Sequence, residues 1–213
     1  MSMSNARFGL VCLVVGSMGV AHAGIYTIER AGSGWVNQNG ENNGDRRHNN
    51  YIVGQWEYSN RSVESRNWFE FDLSTITETI VSAVLRIDSV DVVLMQDASV
   101  VMYDIASYDG LQNFGTMGNG VLYGQREYSD ADDYEIRDIV LNEAAIAAMN
   151  GSGSFLVSGR ISGGAEFGED VPNQYLMGYS ETDPVQLIVT TIPGPGALVM
   201  AGVVGVGCAR RRR

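Results

Sequence analysis

The side chains with the widest catalytic scope in this sequence are carboxylates, among them Glu57, Glu64, Glu70, Asp72, Asp104 and Glu135. Two carboxyl groups about 5–10 Å apart can cleave a glycosidic bond by acid–base chemistry alone, as in a small glycoside hydrolase or polysaccharide lyase. An acidic chain offers such pairs by chance, so their abundance argues for solvated charge over catalysis. The run Asp130-Ala131-Asp132-Asp133-Tyr134-Glu135 is denser. Calcium takes oxygen ligands from flexible loops, which makes Asp130, Asp132 and Asp133 candidate calcium ligands. The run lacks the spacing of an EF-hand, and the plainer reading is a solvated turn entering a strand. Aromatic rings supply the third chemistry. Trp56 and Tyr58 alternate onto one face of an extended segment, and Trp68 opposes the apolar side of its own strand. These three are candidate stacking surfaces for sugar rings, with Trp35 a further indole; the alternative is that they cap a second sheet.

Other chemistries are excluded or weak. The 213 residues contain no lysine, which removes Schiff-base catalysis and the phosphate-binding loop that needs one. A formal charge of −11 makes the chain a poor partner for nucleic-acid backbones. His48 sits in the polar segment 37–50, and no set of cysteines or second histidine beside it completes a zinc site. No catalytic residue is therefore assigned, and a non-enzymatic role is expected.

The candidate residues lie on short alternating segments. In 66–73, Asn67, Phe69, Phe71 and Leu73 share one face, and Trp68, Glu70 and Asp72 share the other. In 80–88, Val81, Ala83, Leu85 and Ile87 are placed inward. Further strands are expected at 25–30, 50–55, 92–95, 100–106, 134–141, 155–161, 175–179 and 185–191. Ten short strands separated by Gly, Asn and Asp clusters predict one all-β domain, a jelly-roll-like sandwich spanning 24–192. One helix is expected at 142–149, with Asn142 as N-cap, Glu143 in the first turn and Gly151 beyond its end.

Both ends are read as addresses. Residues 1–23 have a positive start at Arg7, a short apolar core and a small-x-small pattern at Ala21 and Ala23, as in a secretory signal peptide. At the other end, Pro193-Gly194-Pro195-Gly196 breaks regular structure, 197–209 is uncharged, and Arg210, Arg211, Arg212 and Arg213 close the chain. Arginines directly after an apolar helix hold that end on the cytoplasmic side of a membrane. Without these ends, nine arginines face all twenty-five carboxylates, a net charge of −16, and no cysteine remains.

The order of proline motif, short apolar helix and arginine cluster over 193–213 resembles the PEP-CTERM sorting signal, with Gly194 where the family has glutamate. The resemblance implies handling by an exosortase-type membrane protease of Gram-negative bacteria that make exopolysaccharide. It also implies a transient membrane helix and delivery to the cell surface or extracellular matrix. Arg66-x-x-Phe69-x-Phe71-Asp72-Leu73-Ser74 followed by Ile80-x-Ser82-Ala83-x-Leu85-x-Ile87 is similar to the signature of DNRLRE-type jelly-roll modules. That likeness implies core roles for Phe69, Phe71 and Leu73, a turn-closing role for Asp72, and a place beside carbohydrate-active proteins. Exopolysaccharide is then the expected partner, with a purely structural matrix protein as a further alternative.

Overall fold

The structure is a computed structural model, and it describes residues 23–43, 50–58, 61–89, 91–94, 100–162, 173–178 and 185–193. Their strands are β1 (Gly24–Asn37), β2 (Tyr51–Tyr58), β3 (Arg61–Asp72), β4 (Thr79–Ser89), β5 (Asp91–Val93) and β6 (Val101–Ser107). They continue with β7 (Leu122–Tyr128), β8 (Glu135–Val140), β9 (Ser154–Ser162), β10 (Gln174–Gly178) and β11 (Val185–Ile192). A 3-10 turn covers Asp130–Asp132, and one helix, α1, covers Glu143–Asn150. The expected helix is present with its expected caps: the Asn142 side chain accepts from the Ala145 amide at 3.1 Å, and Gly151 closes the other end.

All pairings between these strands are antiparallel, and β1 is the hinge of the fold. Its first half pairs with β11, which continues to β4 and β8. After a register shift between Arg30 and Gly32, its second half pairs with β3. The opposite edge of β3 carries β2 and then β9 in succession, leading outward to β10 and β5 on one branch and to β6 and β7 on the other. The inner faces close on one another in an all-β, sandwich-like arrangement. Leu85, Ile87, Ile139, Leu187 and Val189 from one side meet Phe69, Phe71, Ile105 and Val157 from the other, all buried. Leu73 is buried with them, and Asp72 closes a turn by accepting from the Ser74 amide at 2.8 Å. Asn67 keeps its place on the inner face because the buried Tyr103 hydroxyl donates to it at 2.9 Å. Burial pushes that hydroxyl well above the ordinary tyrosine value.

Three expectations need correction. Val81, expected inward, is the extra residue at a bulge where Thr190 and Thr191 of β11 pair with Ser82 and Ile80 of β4, so it is exposed and Ile80 is buried instead. Strand β7 is not among the expected strands; it pairs Leu122 with Ala106 and Gly124 with Ile105, so Tyr123 is an extra residue at a bulge and the period of two is broken. Tyr134 does not open β8: its φ of 55° is left-handed, and the ring is exposed at the end of the acidic turn.

Among the described residues no helix is long and apolar enough to cross a membrane. The apolar stretch 197–209, Gly194, Pro195, the four terminal arginines, Ala21 and His48 lie outside the described residues; Ala23 and Pro193 are at their edges.

Candidate functional site

At the far end of β1 the inner face of the sheet turns from apolar to polar. Trp35 faces Asn67 across the β1–β3 pair and Asn37 faces Ser65, while Trp56 of β2 faces Val63. The Trp35 and Trp56 rings meet edge to face, with centroids 5.6 Å apart and planes at 87°. Each indole N–H has a partner: Trp56 Nε1 donates to Ser65 Oγ at 2.8 Å and Trp35 Nε1 to Asn50 Oδ1 at 3.2 Å.

Amide side chains fix the surrounding backbone. Asn43 Oδ1 accepts from the Trp35 amide at 3.2 Å, and its Nδ2 donates to the Asn50 carbonyl at 3.0 Å. Buried Asn37 accepts from the amides of Asn39 and Glu41 and donates to the Glu41 carboxylate at 2.7 Å. Exposed Arg61 lies 4.0 Å from Glu41 at the rim. The result is a braced aromatic pair with amides, a carboxylate and a guanidinium around it. Stacking by an indole together with amide hydrogen bonds is the chemistry that recognises a sugar ring.

The tryptophans differ in a way that alternation did not show. Trp35 and Trp68 are buried, and Trp56 alone of the three is partly exposed. Trp68 was expected to be exposed, and this is corrected: its residual exposure is 3%. It lies on the outer face of β3 over Gly32 and Gly34, where a Cβ would come within 3.0–3.4 Å of the indole. Residues of the 108–121 segment cover it, with buried Met117 and partly buried Tyr108 and Phe114 packing into the same cluster as Val36. Arg66 holds that segment down, donating to the carbonyls of Phe114 and Met117 at 2.9 and 2.5 Å, with its guanidinium 4.2 Å from the Phe114 ring centre. Tyr58 ends β2 opposite Arg61. In the sequence Trp35 stands out only as a further indole; the amide-rich stretch that follows it is the signal for its role.

The acidic run is also corrected. Asp130, Asp132 and Asp133 do not converge, and among the described residues no group of three histidine, cysteine or acidic side chains is placed to hold a metal ion. Asp132 is buried and accepts from Arg137 Nε, from the Ser129 amide at 2.7 Å and from its hydroxyl at 3.1 Å, with Arg126 at 3.5 Å. Asp133 accepts instead from the Val92 amide at 3.0 Å, tying the turn to β5. Arginines therefore supply the positive charge for which a cation was expected.

Burial acts to raise the Asp132 carboxyl, but the donors from Arg137 and Ser129 outweigh it and hold the group below the ordinary aspartate value. A folded value below the unfolded one contributes stability above the unfolded value, near pH 4, and loses it as the pH falls through the folded value. Asp132→Asn is expected to be less stable than the parent at neutral pH. Urea melts should show it losing less further stability below about pH 4.

The other carboxylates considered for catalysis are dispersed in role. Glu64 pairs with Arg66 at 3.5 Å, Asp104 with Arg160 at 3.4 Å and Glu135 with Arg137 at 3.2 Å, while Asp72 is committed to its turn. A comparison with models of known protein families found no match for this chain, and a search of curated proteins found none.

Proposed function

We propose that this chain is a non-catalytic secreted or cell-surface protein, sorted by an exosortase-type system, that binds exopolysaccharide through the Trp35–Trp56 end of its β-sandwich. The observation carrying the binding role is the edge-to-face indole pair, with Trp56 partly exposed, held by Ser65, Asn43 and Asn50. The acidic balance of the domain suits a partner recognised by stacking and hydrogen bonds rather than by bulk charge. The sorting role rests on the proline motif, apolar segment and arginine cluster of 193–213.

Titration of the purified protein with the host's exopolysaccharide should change tryptophan fluorescence saturably, because Trp56 is the one tryptophan that is partly exposed. Trp56→Ala should weaken binding tenfold or more, about 1.4 kcal/mol, when both proteins are compared below the variant's own melting midpoint, which falls because the ring also packs on Trp35. An unsaturable signal, or unchanged affinity in the variant, would exclude this site. New reducing ends or unsaturated products would favour the hydrolase or lyase instead. For the sorting role, changing Pro193 and Pro195 or deleting the four arginines should retain or mislocalise the protein; normal display of both variants would count against it.

A further inference from the structure

The register of β1 and β11 places the two ends of the domain together. Gly24 lies opposite Thr191, and Ile192 lies opposite Thr79, so the segments before residue 23 and after residue 193 leave from one end of neighbouring strands. That end carries exposed apolar side chains. Ile25 is 74% exposed, Ile192 is 46% exposed, and Val81, the extra residue where Thr190 and Thr191 pair with Ser82 and Ile80, is 45% exposed. The neighbouring carboxylates are engaged: Glu78 accepts from the Tyr26 hydroxyl at 3.0 Å, and Asp72 from the Ser74 amide.

Only residues 193–196 separate Ile192 from the apolar stretch that begins at Ala197. Fully extended, that connection reaches at most about 18 Å. With the stretch inserted in a bilayer, the domain is held within that distance of the lipid surface, and the end nearest the lipid is the one bearing Ile25, Val81 and Ile192. The Trp35–Trp56 pair lies at the other end of β1, roughly 30–34 Å from Ile25 along the strand.

We infer that the Ile25–Val81–Ile192 end of the sandwich is a lipid-facing surface. It seats on the bilayer while the C-terminal segment is inserted, and so presents the tryptophan pair away from the membrane. The inference rests on the reading of 197–213 as a membrane segment, and its test separates the two.

The test uses the mature chain, residues 24–213, with Cys208 changed to alanine and a single new cysteine for a fluorescent label, either Ile25→Cys or Asn39→Cys. Both positions are exposed, and Asn39 marks the tryptophan end. Each labelled protein is reconstituted into phosphatidylcholine vesicles with and without brominated chains and recovered by flotation. The label at position 25 should be quenched at least threefold more than that at position 39. Adding Val81→Asp, whose side chain points outward, should reduce quenching at position 25 at least twofold without lowering the melting temperature. Flotation with equal quenching at the two positions would overturn the surface while leaving the membrane segment intact. Failure to float would remove the membrane segment and the surface with it. A lipid-independent change at position 25 that grows with protein concentration would assign the patch to a second copy and overturn the lipid assignment.

Discussion

Trp68→Ala should destabilise the domain by about 3–5 kcal/mol, the usual loss on truncating a fully packed large aromatic. With total stabilities of about 5–15 kcal/mol, this is a large fraction, and thermal melts should show the midpoint falling by roughly 10 °C. The cost arises because the indole fills the space between Gly32 and Gly34 beneath and Met117, Tyr108 and Phe114 above. Removing it leaves a cavity under the 108–121 segment, whose remaining attachments include Arg66 to the Phe114 and Met117 carbonyls. That segment should become the first site of limited proteolysis. Polysaccharide affinity below the new midpoint should be unchanged, whereas Trp56→Ala should lose affinity. A Trp68→Ala protein with parental stability and lost binding would reverse the assignment of the two tryptophans.

Gly54→Ala is expected to be nearly as damaging for a backbone reason. Gly54 has φ 110°, which L side chains rarely adopt, and sits where β2 pairs with both β3 and β10. A Cβ there would collide with the Gln174 carbonyl oxygen and come 2.6 Å from Ile161 Cδ1 and 2.9 Å from Tyr175 Cα. Because two of these obstacles are backbone, relief requires separating β2 from β10, and a loss of about 3 kcal/mol or more is expected. Gly40→Ala is the control. Gly40 also has positive φ, at 81°, but nothing lies within 4 Å of its added Cβ. That substitution should cost only the conformational penalty, about 1 kcal/mol. Urea melts giving equal losses for the two variants would contradict the steric account.

Much of the fold is legible in single segments. The alternation of Phe69, Phe71 and Leu73, and of Ala83, Leu85 and Ile87, identifies inward faces that are buried in the structure. Asn142 and Gly151 mark the helix because capping is decided within one turn of chain. Strand β7 escapes because its signal depends on a partner: the bulge at Tyr123 exists only against Ile105 and Ala106. The candidate site is legible only in part. Trp56 stands out as an aromatic on an extended segment, but its pairing with Trp35 requires β2 and β1 to flank β3 on opposite edges.

The sequence by itself determined the helix caps and most inward-facing positions, because these follow from local geometry and period wherever no bulge interrupts a strand, as one does at Val81. Only the tertiary structure decided what covers each face and what neutralises each buried charge. Trp68 is buried by a segment some forty positions later in the chain, and Asp132 is matched by Arg137 and Arg126 rather than by a cation. Burial and charge pairing depend on atoms brought together from distant parts of the chain, and alternation along one strand carries no record of them.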